Sequence, residues 1–223
     1  MGKKINSFFI GIIIFVVLPL IAWWIADWEW YFSNTERMLY SIVMIVMSIL
    51  VVILIPNEGK SVGEGEKIMK KHKISLLALQ IIPLAIIIFS PIFDRNNIYT
   101  FWEHEWIRIL GIVFVVIGFV IMNWSAYALG KQFSTDVTIQ KEHELITTGP
   151  YKRIRHPRYL GILLFFLWII WVFNALISII LVAILSGFLI WRVYDEEKIM
   201  KKAFTHKREI YTKKSWKLLP FVR

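Results

Sequence analysis

An all-α integral membrane protein of about six hydrophobic helices is the fold class the sequence predicts, with the last two helices forming a hairpin and a cytosolic amphipathic tail behind them. Three observations carry this expectation. The 223 residues are 57% apolar, 16% aromatic and only 19% charged, more apolar and less charged than an average soluble domain, and the same figures exclude disorder. The apolar residues gather into long uncharged runs. The charge is one-sided: 26 Lys and Arg face 16 Asp and Glu, a net charge of +10, and the cations cluster in alternate connections between the runs.

Four runs, Ile5–Ala26, Met38–Asn57, Ile74–Phe93 and Ile109–Gly130, each reach the roughly 20 residues that cross a hydrocarbon core of about 30 Å. The first is expected to be retained, because its apolar core is too long for a signal peptide and no small-residue cleavage pattern lies near Trp23-Trp24. Trp23, Trp24, Trp28, Trp30 and Tyr31 at its exit suit a membrane interface. The fifth run, Tyr159–Trp191, has 33 uncharged residues. As one straight helix it would extend about 50 Å, too long for a single crossing. Asn174 lies near its middle, so the run reads as two short helices, about 158–173 and 176–194.

With six crossings, 23 of the Lys and Arg residues fall on one side and three (Arg37, Arg95 and Arg108) on the other. The acids divide as 10 and 6, leaving +13 on one face and −3 on the other. This is the positive-inside pattern of a multi-pass membrane protein with both termini cytosolic, in the plasma (inner) membrane if the source is bacterial. Five full crossings would scatter the charge. Polar residues within the runs are few (Gln80, Asn123, Ser125, Asn174), and there are no repeated halves, which argues against a transporter. With no cysteine, disulfides, thiolate metal sites and cysteine nucleophiles are excluded. His72, His104 and His206 show no metal-like spacing, and no metal is expected.

The chain therefore divides into residues 1–130, four transmembrane helices with short loops, and residues 131–223, a polar loop, the hairpin and a basic tail. The chemistry-bearing residues lie in the second part. Pro157 suits the first position of a helix, where its missing N–H costs nothing, and His156, held extended by the proline, would sit at the helix mouth. Arg153, Arg155 and Arg158 flank free helix N–H groups that could face an anion. On charge alone, an ordinary basic loop and helix start is the simpler reading. Where the last helix leaves the membrane, Asp195, Glu196 and Glu197 spread about 200° around it, so at most two can address one pocket. Local pairing of Arg192 with Glu196 and Glu197 with Lys201, both i,i+4, is the simpler reading; a tail folded back onto the loop would instead bring these acids to its cationic cluster. The tail's apolar stripe, Ile199, Met200, Ala203, Phe204, Ile210, Tyr211 and Trp216, suits a helix lying on anionic headgroups. Basic residues tied to helix ends, rather than to one soluble face, argue against a nucleic-acid site.

His143-x-Leu145-Ile146-Thr147-x-Gly149-Pro150-Tyr151, then Arg155-His156-Pro157-x-Tyr159-x-Gly161, a helical hairpin, Glu196-Glu197 and a closing Tyr211…Pro220 resemble the isoprenylcysteine carboxyl methyltransferase family, within a wider group that includes phospholipid N-methyltransferases. The match covers about residues 131–220. Two departures are Asn174-Ala175, where an asparagine-proline is often seen, and Phe204-Thr205, where the family has phenylalanine-glycine. The resemblance implies a membrane methyltransferase using S-adenosylmethionine, with residues 131–223 as its catalytic region. His143, Gly149, Tyr151, His156, Pro157 and Tyr159 would line the cofactor pocket, Glu196 and Glu197 would bind its polar groups, and Arg155, Glu196 and Glu197 would serve the reaction. A lipid-like or prenylated acceptor carboxylate would be positioned by Arg155 or Arg192, whereas an amine or thiol acceptor would give its proton to a carboxylate. Phospholipid N-methylation and a non-catalytic membrane protein with a lipid-binding basic tail are the alternative readings. The oligomeric state is left open.

Overall fold

The computed structural model describes residues 2–54, 72–100, 104–130, 145–203 and 205–219. Helix α1 (Gly2–Ile12) runs through a π-turn at Ile13–Val17 into α2 (Leu18–Trp24). Short α3 (Trp28–Ser33) leads into α4 (Thr35–Leu54), followed by α5 (His72–Arg95) and α6 (Glu105–Leu129). The hairpin is α7 (Pro157–Val172) and α8 (Ile179–Ala203), and α9 (Thr205–Lys214) closes the described chain. Among the described residues the only extended pairing is one isolated parallel bridge, Ile154 with Trp216. Asn6–Trp24, Thr35–Ile53, Ile74–Arg95, Glu105–Leu129 and Leu176–Lys198 are long and apolar enough to span a bilayer, which makes this an integral, multi-pass membrane protein. The sixth hydrophobic helix, α7, has 16 residues, so it is apolar but short.

Helix α7 can be short because other helices, rather than lipid, surround much of it. Leu160, Phe165, Phe166, Ile169, Ile170 and Val172 are all buried, and an all-round apolar helix of this kind belongs at a bundle's centre. Its closest neighbour is α6. A Cβ on Gly118 would lie 2.6 Å from the Phe165 backbone nitrogen, and one on Gly161 would lie 2.6 Å from that of Met122. Glycine at these two positions is what lets the backbones approach.

The hairpin turns where the sequence places it. Asn174 takes a left-handed conformation (φ 47°), which asparagine tolerates better than most residues. Its N–H bonds to the Trp171 carbonyl at 3.3 Å, and that of Ala175 bonds to the Ile170 carbonyl at 2.9 Å. Together these form a Schellman cap. The next orphan carbonyl, Val172, accepts from Arg108 Nη1 at 3.0 Å. One boundary differs from expectation: α8 does not end near residue 194 but continues to Ala203. Residues 195–203 contain Glu, Lys, Met and Ala, all strong helix formers, so the helix outlasts the apolar run.

At the end of the bundle where the hairpin turns, all three cations assigned to the less positive side are paired with acids. Arg108 grips both carboxylate oxygens of Asp94 at 2.7 and 2.8 Å, Arg37 reaches Asp94 at 3.5 Å, and Arg95 pairs with Asp27. Arg37 also lies 4.2 Å from the centre of the buried Trp23 ring.

Candidate functional site

The loop entering α7 and the end of α8 meet at the opposite end of the hairpin. Pro157 starts α7, as its fixed φ and missing N–H favour. His156 before it is not fully extended (φ −124°, ψ 57°), because its backbone is held at both ends. Its N–H bonds to the Lys217 carbonyl at 3.1 Å, and its own carbonyl accepts from Leu160 at 3.3 Å. Earlier in the loop, Gly149 has φ +58°, a left-handed conformation that costs a residue with a side chain free energy. It admits the turn Gly149–Lys152 that carries Tyr151 inward.

The centre consists of His156 between two carboxylates. His156 Nε2 lies 3.0 Å from Glu197 Oε1 and Nδ1 lies 3.4 Å from Glu196 Oε2. The successive glutamates are both turned to it, while Asp195 forms no ion pair among the described residues. Glu196 also accepts from the Tyr159 hydroxyl and from Arg192 Nε at 3.1 Å. The same Arg192 Nε lies 2.8 Å from the Tyr159 hydroxyl. Glu197 accepts from Arg155 Nε at 3.1 Å and from Arg208 Nη2 at 2.6 Å. The local Arg192–Glu196 pair therefore exists, but Glu197 is turned to His156, Arg155 and Arg208 across the tertiary structure, as a folded-back tail requires.

Both imidazole nitrogens face carboxylate oxygens, and only the imidazolium can donate from both. Burial by itself would lower the pKa of His156; hydrogen bonds to Glu196 and Glu197, together with their charge, outweigh it and hold the group above the ordinary histidine value. Burial also raises the phenol of Tyr151 and pushes that of Tyr211 up to about 12, so both remain hydroxyl donors.

Of the residues singled out from sequence, Arg155, His156, Pro157, Tyr159, Arg192, Glu196 and Glu197 form one connected cluster, and Gly149 and Tyr151 lie in the loop beside it. His143 falls outside the described residues. Arg153 is exposed on the loop. The expected apolar stripe of the tail is not one face, since Ile210 is half exposed whereas Tyr211 points inward and donates its hydroxyl to the Tyr151 carbonyl at 2.5 Å. The docking face of the tail is Arg208 and Tyr211 on α9 with Ser215 just beyond it. Arg208 was not foreseen; its i, i+3, i+7 spacing with Tyr211 and Ser215 is the signal that could have revealed it.

A multi-pass membrane protein with a carboxylate–histidine–carboxylate centre at the open end of its last hairpin is the class that this fold and site define. Residues 110–202, from within α6 to the last turn of α8, match the model of the Isoprenylcysteine carboxyl methyltransferase (ICMT) family. It is 31% identical over 126 residues to a rice (Oryza sativa subsp. indica) protein named probable protein-S-isoprenylcysteine O-methyltransferase, covering 54% of this chain and 64% of that one. An Arabidopsis thaliana protein-S-isoprenylcysteine O-methyltransferase B is 22% identical over 198 residues, 86% of this chain and 95% of the relative. The solved structure of a eukaryotic intramembrane Ras methyltransferase, ICMT, superposes with a TM-score of 0.56 at 16% identity, covering 99% of this chain and 84% of that one, which shows a shared fold.

Proposed function

We propose that the chain is a membrane methyltransferase that uses S-adenosylmethionine to methylate the carboxylate of a lipid-like acceptor of the isoprenylcysteine type. The observation that carries this reading is the convergence of Glu196 and Glu197 on His156 where the hairpin leaves the membrane. The donor set fits the cofactor, whose amino-acid end bears one cation and one anion: half-buried carboxylates and buried guanidinium groups stand within a few ångströms of one another. Glu196 and Glu197 would hold its cationic and hydroxyl groups, and His143, Gly149, Tyr151, His156, Pro157 and Tyr159 would line the pocket. When bound, it supplies an electrophilic methyl group.

What this chain's own residues must do is orient the acceptor and exclude water. Each site carboxylate already accepts from several donors, and His156 is held as imidazolium, so neither is set up to take a proton. A carboxylate acceptor is anionic at neutral pH and needs no base, whereas an ammonium must first be deprotonated. This favours carboxyl O-methylation over headgroup N-methylation. Arg192, inside the hairpin one turn nearer the bilayer than Glu196, is the residue we assign to the acceptor carboxylate; Arg155 is turned toward Glu197 and the tail. In this reading the site end of the bundle is cytosolic, where a water-soluble cofactor enters while a greasy acceptor arrives from the bilayer.

The test is binding of S-adenosylmethionine to detergent-purified protein, then transfer of labelled methyl to a prenyl-cysteine analogue and to extracted phospholipids. Binding by the parent, its loss in the Glu196→Gln, Glu197→Gln double variant, and transfer to the prenyl-cysteine carboxylate are expected. A parent that binds no cofactor overturns the enzyme reading, and methylation of lipid amines alone overturns the acceptor.

A further inference from the structure

The α9 segment lies beyond the family match at residues 110–202, yet it is built into the centre. Arg208 is buried and holds Glu197 twice, with Nη2 on Oε2 at 2.6 Å and Nη1 on the main-chain carbonyl. Arg155 extends the contact in the other direction: its Nη1 donates to the carbonyls of Ser215 at 2.6 Å and Thr212 at 3.3 Å. A cation at the last turn of a helix satisfies its orphan carbonyls and opposes its dipole. After α9 the chain runs beside the loop. Trp216 N–H donates to the Arg153 carbonyl, and Arg155 N–H to the Trp216 carbonyl, each at 2.8 Å. Tyr211 completes the contact through Tyr151.

We propose that α9 is a clasp and that Arg208 is a positioning residue, fixing the rotamer of Glu197 so that its carboxylate addresses His156 and the cofactor. The proposal rests on the methyltransferase reading for its cofactor and on the geometry alone for the clasp. Arg208 does not touch the reacting atoms; it acts through Glu197. Of the three cations on that carboxylate, Arg155 and His156 belong to the loop itself, so Arg208 is the one that ties it to a separate element. A glutamate held only by two groups of one loop takes its orientation from that loop alone. Held also from α9, whose own end is bonded to the loop, it has one orientation.

The chain contains no cysteine, so spin labels can be placed at two introduced cysteines, replacing the exposed Lys152 and Lys213, in the full chain in detergent. The parent is expected to give one narrow inter-label distance, Arg208→Gln a broadened one, and Arg208→Lys, which restores a cation to Glu197, an intermediate one. For cofactor, Arg208→Gln is expected to raise Kd by about tenfold, the loss of one charge-assisted hydrogen bond, with the transfer rate at saturating cofactor nearly unchanged and Arg208→Lys recovering part of the affinity. Tyr211→Phe, which removes only a hydroxyl, is expected to broaden the distance more weakly, and it judges the clasp if Arg208 variants fail to fold. A narrow distance retained in both Arg208→Gln and Tyr211→Phe overturns the clasp. A broadened distance with unchanged cofactor affinity, or equal loss of affinity and rate without rescue by lysine, overturns the positioning role. A parent that binds no cofactor but whose variants broaden refutes the enzyme reading and leaves the clasp standing.

Discussion

Gly118 and Gly161 offer a measurement of how closely the hairpin must pack to exist. A methyl added at Gly118 meets the nitrogen and Cα of Phe165 at 2.6 and 2.9 Å and the Gly161 carbonyl oxygen at 3.0 Å. All three atoms are backbone, so no rotamer change relieves the contact. Restoring ordinary contact requires α6 and α7 to separate by about 0.8 Å, the shortfall of the shortest contact from about 3.4 Å. Overpacking of this kind costs about 1–3 kcal/mol, against which alanine recovers about 0.5–1 kcal/mol of helix propensity over glycine. Gly118→Ala is thus expected to destabilise the protein by about 1–2 kcal/mol. Gly187 on α8 is the internal control, since a Cβ there meets nothing within 4 Å and Gly187→Ala is expected to be neutral or stabilising by up to about 1 kcal/mol. Reversible unfolding by sodium dodecyl sulfate in mixed micelles, followed by circular dichroism, gives both values. If Gly118→Ala proves as stable as Gly187→Ala, the close approach of α6 and α7 is wrong.

Three further perturbations address other parts of the molecule. Asp94→Asn leaves the buried Arg37 without a charged partner and weakens the hold on Arg108; removing one member of a buried ion network costs about 3–5 kcal/mol, and the same unfolding assay should show a loss of that size. Asn174→Val puts a β-branched residue at φ 47° and should cost about 1–2 kcal/mol, whereas Asn174→Gly should be tolerated; equal stability of the two would refute the left-handed cap. The third is a pH dependence. The pKa of His156 is higher folded than unfolded, so its contribution is fully present below about pH 6.5 and is lost as pH rises through the folded value. Unfolding free energy should therefore fall as pH rises above about 6.5, more steeply in the parent than in His156→Gln; equal slopes would remove the imidazolium from the centre.

The parts of this fold legible in the sequence are those where one strong physical constraint acts on neighbouring residues. A bilayer demands long uncharged helices, so the spans were readable as runs. Asn174 was readable as the turn because a polar, left-handed-tolerant residue interrupts a run too long for one crossing. Pro157 was readable as a helix start for the reason its φ makes it one. What was not legible depends on pairing across the chain. The apolar run ending near Trp191 marks where α8 leaves lipid, not where it stops, and the extra turns through Ala203 carry Glu197 to a tail that local i,i+4 logic cannot see. Arg208, on α9, is 11 residues from Glu197 on α8; Asp94 is 57 residues from Arg37. Nothing in the spacing of either pair announces the contact.

The two ends of the bundle follow the same rule to different results. Where the hairpin turns, Asp27 and Asp94 absorb all three cations, so that surface is left with little positive charge to oppose the membrane's polarity rule. At the site end, Arg155, Arg192, Arg208 and the His156 imidazolium gather around only two carboxylates, and the cluster itself is left positive. An excess that could have been scattered over the exposed surface is here partly drawn into a half-buried centre. Buried there, it attracts anions far more strongly than it would in water. An acceptor carboxylate is such an anion, and one that arrives within the bilayer meets the cluster from its least hydrated side. These cations would thus supply the field that holds the proposed acceptor.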